Sequence, residues 1–365
     1  MNTNKHSFIY LKRWCAWALF FSFLLSGPDA SAQDIHFSQF YLAPLTQNPA
    51  MAGALYDLQG IVNYKDQWQS VTAPYRTVAV SFDMRLNSKK RKKGFWAAGI
   101  NIFNDQAGDA GMGITQANLT AAYHVHMDEY NTLGAGLQGG FAQRTLSPGA
   151  LQWGNQYDGT SYNGSLSSGE PVSAGATSFT YIDAGAGLVW TYNNTSGSRN
   201  VTDNHDLKFN LGVSVFHVNQ PKYSFYNDGE KLYMKTVVHG DALISIPGTS
   251  LAVVPGFMYY RQENVQEIFA GTMLRLKMKQ ESKFTGFEKG AAISVGGYYR
   301  AGDGVAAAML LEYANYAIGF SYDFNTSPLR TASMVRGGVE VTLRFVTPNP
   351  FLKRGGSSIL YQPTP

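Results

Sequence analysis

Charge is scarce in this sequence. Asp, Glu, Lys and Arg make up only 15% of its 365 residues, whereas a typical soluble domain carries about 25%. Long apolar runs are scarcer still. A helix that crosses a bilayer needs about 20 consecutive apolar residues, and only the N-terminus approaches that length. The mean hydropathy of −0.18 also argues against a bundle of membrane helices. Cysteine is nearly missing, since Cys15 stands alone. A strong charge of one sign is missing too. The formal net charge is +4, too balanced to argue for nucleic-acid binding.

Glycine and aromatics are abundant instead, with 38 Gly, 22 Tyr and 22 Phe. So many aromatic and β-branched residues exclude a disordered chain. Few charges, many aromatics and moderate hydropathy together leave a membrane β-barrel.

The N-terminus reads as an export signal. Lys5, Lys12 and Arg13 precede an apolar stretch from Trp14 to Leu25, and Ala30-Ser31-Ala32 supplies small residues for cleavage. The stretch suits a signal peptide and is too short for a spanning anchor. Residues 1–32 are therefore read as a signal, with Gln33 as the first mature residue. Cleavage removes the only Cys, which excludes disulfides and Cys-based metal sites from the mature chain. It leaves 26 basic and 24 acidic residues, a net charge of about +2.

Residues 33–53 show little periodicity and contain Pro44 and Pro49. Beyond Gly53 the pattern alternates with a period of two, the mark of strands with unlike faces. Val78, Val80, Phe82 and Met84 interleave with Ala79, Ser81 and Asp83. Val339, Val341 and Leu343 oppose Glu340, Thr342 and Arg344. In a membrane barrel the apolar face meets lipid and the small or polar face looks inward. Segments of barrel-strand length fall near 56–66, 76–86, 94–104, 112–126, 130–143, 178–192 and 206–218. Seven more fall near 235–247, 250–261, 265–279, 288–300, 304–313, 315–324 and 335–346. The expectation is an all-β, transmembrane antiparallel barrel of about 14 strands over residues 54–346, an even number as bacterial barrels require. The longest connection, 144–177, is expected outside the cell and the short turns 127–129, 248–249 and 314 in the periplasm, although three inward links, 87–93, 193–205 and 280–287, are longer and two outward ones, 262–264 and 301–303, are short. Paired aromatics at strand ends, such as Trp68 with Tyr75 and Trp190 with Tyr192, suit the bilayer interface.

Chemistry is sparse. His124 and His126 share a strand face and could converge on a metal, but no third ligand stands at a useful spacing. A polar inward or interfacial pair is the simpler reading. Gly134, Gly136 and Gly139 spell a dinucleotide fingerprint inside β sequence, where no helix follows to hold a phosphate. There is no nucleophile elbow of the G-x-S-x-G type. No catalytic, cofactor or metal site is assigned, and an enzyme is not expected.

Three regions are candidates for contact. Residues 33–53 precede the first strand and can fold into the lumen as a plug or lie beneath it as a periplasmic strap. A fourteen-strand ring is too wide for its own side chains to fill. Phe37, Gln39, Tyr41 and Asn48 would then fill that space. Lys89, Lys90, Arg91, Lys92 and Lys93 form a basic cluster in a predicted periplasmic turn, where they can meet an acidic partner or anionic head groups. Residues 347–365 read as a periplasmic tail.

Several motifs share an order and spacing. They are Phe37-Ser38-Gln39-Phe40, Pro44-Leu45, Asn48-Pro49-Ala50 and Gly53, followed by Tyr64-Lys65-Asp66-Gln67-Trp68. Downstream come Asn104-Asp105-Gln106-Ala107-Gly108, Gly297-Tyr298-Tyr299-Arg300 and Phe320-Ser321-Tyr322-Asp323. Together they resemble the PorP/SprF family of outer-membrane proteins from the type IX secretion and gliding systems of Bacteroidetes. Loop 144–177 departs from that resemblance. The likeness implies a non-enzymatic outer-membrane component that docks periplasmic ring proteins and a peptidoglycan-binding lipoprotein. It also implies help in secreting or displaying a cargo or adhesin with a C-terminal secretion domain. Phe37, Ser38, Gln39, Asn48, Pro49, Gln67 and Trp68 become the candidate plug or partner contacts. The alternative is a plugged channel for uptake of small or hydrophobic solutes.

Intact-mass and N-terminal peptide analysis of the protein purified from envelopes is expected to give a chain beginning at Gln33. A chain that retains Cys15 would overturn the signal-peptide reading.

Overall fold

The computed structural model describes residues 35–68, 73–86, 93–108, 110–147, 151–169, 177–194, 207–225, 229–279, 290–327 and 333–347. The expected signal peptide, Lys89, Lys90, Arg91, Lys92 and the tail beyond Thr347 lie outside the described residues.

Fourteen strands among the described residues close into one barrel. They are β1 (Leu58–Gln67), β2 (Tyr75–Arg85), β3 (Gly94–Ala107), β4 (Met112–His126), β5 (Asn131–Thr145), β6 (Ser178–Asn193) and β7 (Lys208–Phe216). The second half comprises β8 (Lys235–Ser245), β9 (Leu251–Gln262), β10 (Val265–Lys279), β11 (Ala291–Arg300), β12 (Gly304–Tyr313), β13 (Tyr316–Asn325) and β14 (Arg336–Thr347). Each strand pairs antiparallel with its chain neighbours. Closure comes from β1 against β14, in register from Leu58↔Thr347 to Gln67↔Gly338. A bilayer offers no water to backbone N–H and C=O groups, so closure is what makes strands viable there.

The faces are sorted as the alternation predicts. On β2 the apolar Val78, Val80 and Phe82 point out, while Ala79, Ser81 and Asp83 are buried. Leu119, Leu137 and Ile182 are each about 70% exposed, at 68%, 68% and 70%. Glu340, Thr342 and Arg344 turn inward between the exposed Val339 and Leu343. Large apolar side chains outside and carboxylates inside would be unstable in water and suit lipid.

Connections differ at the two ends. At one end lie the short links between β4 and β5, β8 and β9, and β12 and β13, the last only two residues long, together with longer links after β2, β6 and β10. In the β4–β5 turn, Asp128 accepts N–H groups from Tyr130 and Asn131 at 2.8 and 2.7 Å, which holds its carboxyl below the usual range. This is called the turn end below. The opposite, loop end carries the long β5–β6 and β7–β8 connections together with two short ones after β9 and β11.

Replacing Leu119 by Arg puts a charge on the outer face midway along β4. It is expected to cost about 2–4 kcal/mol near the bilayer midplane. Urea titration of folding into vesicles measures it, and Leu119→Val serves as the mild control.

Candidate functional site

Residues 35–57 precede β1 and carry three short helical turns, Phe40–Leu42, Pro44–Gln47 and Pro49–Met51. Pro44 and Pro49 each occupy the first turn, where a missing N–H costs nothing. The segment bonds or packs against β1, β2, β4, β6, β8, β11 and β14. Only a chain inside the ring can touch strands all round it. It starts near the loop end, crosses the lumen at mid-height and leaves at the turn end.

Near the loop end it meets a charged cluster. The Ser38 and Gln39 backbone N–H groups donate to the two oxygens of Glu340 at 2.8 and 3.0 Å. Ser38 Oγ donates to Asp323 at 2.7 Å, and Arg300 Nη2 donates to both at 3.2 Å. Arg300 also pairs with Glu267 at 3.0 Å and Asp303 at 2.7 Å. Lys65 Nζ donates to the His36 carbonyl at 2.9 Å and lies 4.0 Å from Asp323. A second group, Glu312 held between Arg275 and Arg344, continues down the same wall. Buried charges are stable only when paired and hydrogen-bonded, and here the segment's backbone supplies part of the pairing. Phe40 then packs edge-on to Tyr298 at 5.3 Å, and Tyr41 stacks on Tyr298 at 5.6 Å. Such ring pairs add about 0.5–1.5 kcal/mol beyond area burial.

The crossing is held at Asn48. Its Oδ1 accepts the Ala50 N–H at 2.8 Å and caps the next turn. Its Nδ2 donates to the Leu188 carbonyl at 2.8 Å and lies 3.1 Å from His239 Nε2. Glycines make room for this contact. A Cβ on Gly187 or Gly212 would collide with the Asn48 amide, and one on Gly136 with Pro49 and Ala50. Across the lumen, a Cβ on Gly319 would strike Gln39. The inward glycines of this wall therefore form a cradle for the segment.

The exit at the turn end is fixed by polar groups. Asp83 accepts the Gly53 N–H at 2.8 Å and Gln59 Nε2 at 2.8 Å. Arg85 donates to the carbonyls of Gly53 and Ala54 and pairs with Asp57 at 3.0 Å. Gly53 has φ +64°, where a side chain would be strained.

The candidate residues fall in different places. Phe37, Ser38, Gln39, Asn48 and Pro49 are all buried within the ring. Gln67 and Trp68 instead end β1 at the loop end. There Trp68 N–H donates to the Gly337 carbonyl at 2.8 Å, and its ring meets Tyr75 edge-on at 4.8 Å. Lys93 is the only described member of the basic cluster, and its carbonyl accepts the His126 N–H at 3.3 Å. His124 is buried, stacked on Phe95, with Nε2 2.8 Å from the Ala52 carbonyl. His126 is exposed beside Thr132. The two imidazoles take different hydrogen-bond partners, although both lie against the Phe95 ring. Of Gly134, Gly136 and Gly139, the first two face the lumen, and a Cβ on Gly139 would meet open space.

Sequence reasoning did not assign Glu340, Arg300, Glu267 or Glu312 to any site. The available signal was a charge at an inward strand position in a charge-poor chain. Alternation gives the direction of such a residue but not the partner it meets.

Residues 29–345 match the family described as type IX secretion system membrane protein PorP/SprF. No curated protein matches the chain. Among solved structures, BamA from Haemophilus ducreyi lacking POTRA domains 1-3 is 12% identical, with a TM-score of 0.41. The alignment covers 80% of this chain and 70% of that one. CdiB from Acinetobacter baumannii is 8% identical, with a TM-score of 0.41, over 80% and 60%. A TodX monoaromatic hydrocarbon channel, the deltaS2S3 mutant, is 11% identical, with a TM-score of 0.42, over 84% and 94%.

Gly187→Leu is expected to unseat the Asn48 turn while leaving the strands paired. Hydrogen exchange should then rise across residues 40–52 and stay slow in β6 and β7. Glu340→Gln removes one charge of a buried cluster, a change that costs about 3–5 kcal/mol when a partner is left alone. Denaturant titration checks the loss, and Glu340→Asp should recover part of it.

Proposed function

The chain belongs to the PorP/SprF family of type IX secretion system membrane proteins, and we propose that it acts by docking rather than by conduction or catalysis. Residues 35–57 serve as a built-in plug. The periplasmic face meets the ring components and a peptidoglycan-binding lipoprotein, and the loop end meets the secreted cargo or adhesin. Lys93 and its basic neighbours in the sequence offer a contact for an acidic periplasmic partner.

The observation that carries this reading is the seating of residues 35–57. Backbone bonds to Glu340, the Asn48 contacts and the glycine cradle commit this wall to one occupant. A lumen committed in this way suits a scaffold. With cleavage before Gln33, only two residues precede the described segment. Its free end could then enter the barrel without a return path.

A second reading is uptake of small solutes. It draws on a cavity that the segment leaves open beside β3–β8 at the loop end. Two measurements separate the readings. Affinity purification of the tagged full-length protein from intact envelopes is expected to recover ring components or a secreted cargo. Recovery of neither would sink the docking role. Liposomes carrying the purified barrel are expected to swell no faster than empty ones in small sugars, whereas solute-selective flux would favour uptake.

A further inference from the structure

The segment leaves part of the lumen beyond its Leu45–Thr46 turn open toward the loop end. A cavity lies there at the loop end, open at its mouth. Its floor is Leu45 and Thr46 of the plug, and its walls come from strands β3–β8.

The lining has a distinct chemistry. Asn101, Gln116, Asn118 and Gln138 occupy inward positions on three adjacent strands, and Asn101 sits directly opposite Asn118. Gln116 Nε2 donates to Asn118 Oδ1 at 2.9 Å and to Asp183 at 3.1 Å, and Gln138 donates to Thr120 at 3.1 Å. Asn101 is 2% exposed, and its Oδ1 has no hydrogen-bond partner. A buried acceptor in that state is costly until something donates to it. Phe216, Tyr223 and Leu232 add apolar surface to the lining.

The charges in the lining balance. Asp105 and Asp183 stand against Arg144 and Lys235. Both carboxylates are already engaged: Thr77 Oγ donates to Asp105 at 2.6 Å, and His217 Nδ1 lies 2.9 Å from Asp183. The Arg144 guanidinium lies over the Tyr223 ring at 5.2 Å. No group of three His, Cys, Asp or Glu that could hold a metal occurs among the described residues. The site is therefore built for a neutral ligand with many hydroxyls or amides and one apolar face. Its floor closes it, and the amides form a compact patch rather than a row. That shape suits a ring better than an extended peptide, which needs a through-groove.

We propose that this cavity binds a neutral sugar ring, with the amide patch bonding its hydroxyls and the Phe216–Tyr223 side covering its C–H face. The proposal does not depend on the docking role. The sugar can be free or be the head group of a glycolipid.

The test uses the full-length protein in an amine-oxide detergent, so that no sugar head group competes. Saturation-transfer NMR is recorded with maltose, cellobiose and diacetylchitobiose at millimolar concentration. A second arm uses dodecyl maltoside below its micelle-forming concentration. Transfer to ring protons in either arm supports the site, and the responding arm names the source. Asn101→Leu is expected to weaken binding about tenfold, the size of one buried hydrogen bond. Its folding is checked by heat-dependent gel migration, and Gln138→Leu replaces it if it fails. Absence of transfer to every neutral sugar overturns the proposal. So does tighter binding of digalacturonate, or unchanged affinity in a folded variant.

Discussion

Everything in this structure hangs on the seam where β1 meets β14. Lipid gives no partner to an exposed strand edge, so an open sheet of these fourteen strands could not stay in a bilayer. The seam runs in register over ten residue pairs, from Leu58↔Thr347 to Gln67↔Gly338. It is also where the N-terminal segment is anchored. Lys65 and Glu340 face each other across it, and so do Asn63 and Thr342. Glu340 receives the Ser38 and Gln39 N–H groups, and Asn63 Nδ2 donates to both Thr342 Oγ1 and the Leu42 carbonyl. The last strand to arrive is thereby tied to the chain that comes before the first.

Closure brings a second constraint. A ring of fourteen strands is too wide for its own side chains to fill, and inward carboxylates need partners. The segment answers both demands with few residues. Its backbone N–H groups satisfy Glu340, its aromatic rings fill space beside Tyr298, and its Asn48 turn fits between glycines. A bulkier wall would exclude the turn. Without the Ser38 and Gln39 N–H groups, Glu340 would lose two donors in a place where an unpartnered charge is very costly. Glycines and charges on the wall and the N-terminal segment are thus parts of one arrangement.

Much of this is legible in the sequence because period two is a geometric rule. Val78 to Asp83 reveals which face meets lipid, and β4, β10 and β12 begin and end where the alternation and turn residues place them. Most of the other boundaries shift by one to three residues, as where β11 starts at Ala291. Two things were hidden. Pairing across the lumen depends on position around the ring. Nothing near Asn48 in the chain points to Leu188 or His239, 140 and 191 residues away. The cavity was hidden for the same reason, since its lining joins side chains of β3–β8 to Leu45 and Thr46 of the N-terminal segment. Gln67 and Trp68 stand close to the N-terminal segment in sequence, and a ten-residue strand carries them from its exit to the loop end of the barrel.

The covalent link from the N-terminal segment to β1 is short and pinned. Only five residues separate Ala52 from Leu58, and Gly53, Ala54 and Asp57 among them are bound to Asp83 or Arg85. A tether this short keeps the segment at high effective concentration beside its cradle. Withdrawal would also strip Glu340 of two N–H donors and Lys65 of the His36 carbonyl at the same time. Water entering behind the segment would recover some of that loss, but not the stacking on Tyr298 or the fit at Gly187. An empty lumen is therefore far above the filled one in free energy. A partner that opened it would have to bring its own donors for Glu340 and its own apolar surface for Tyr298.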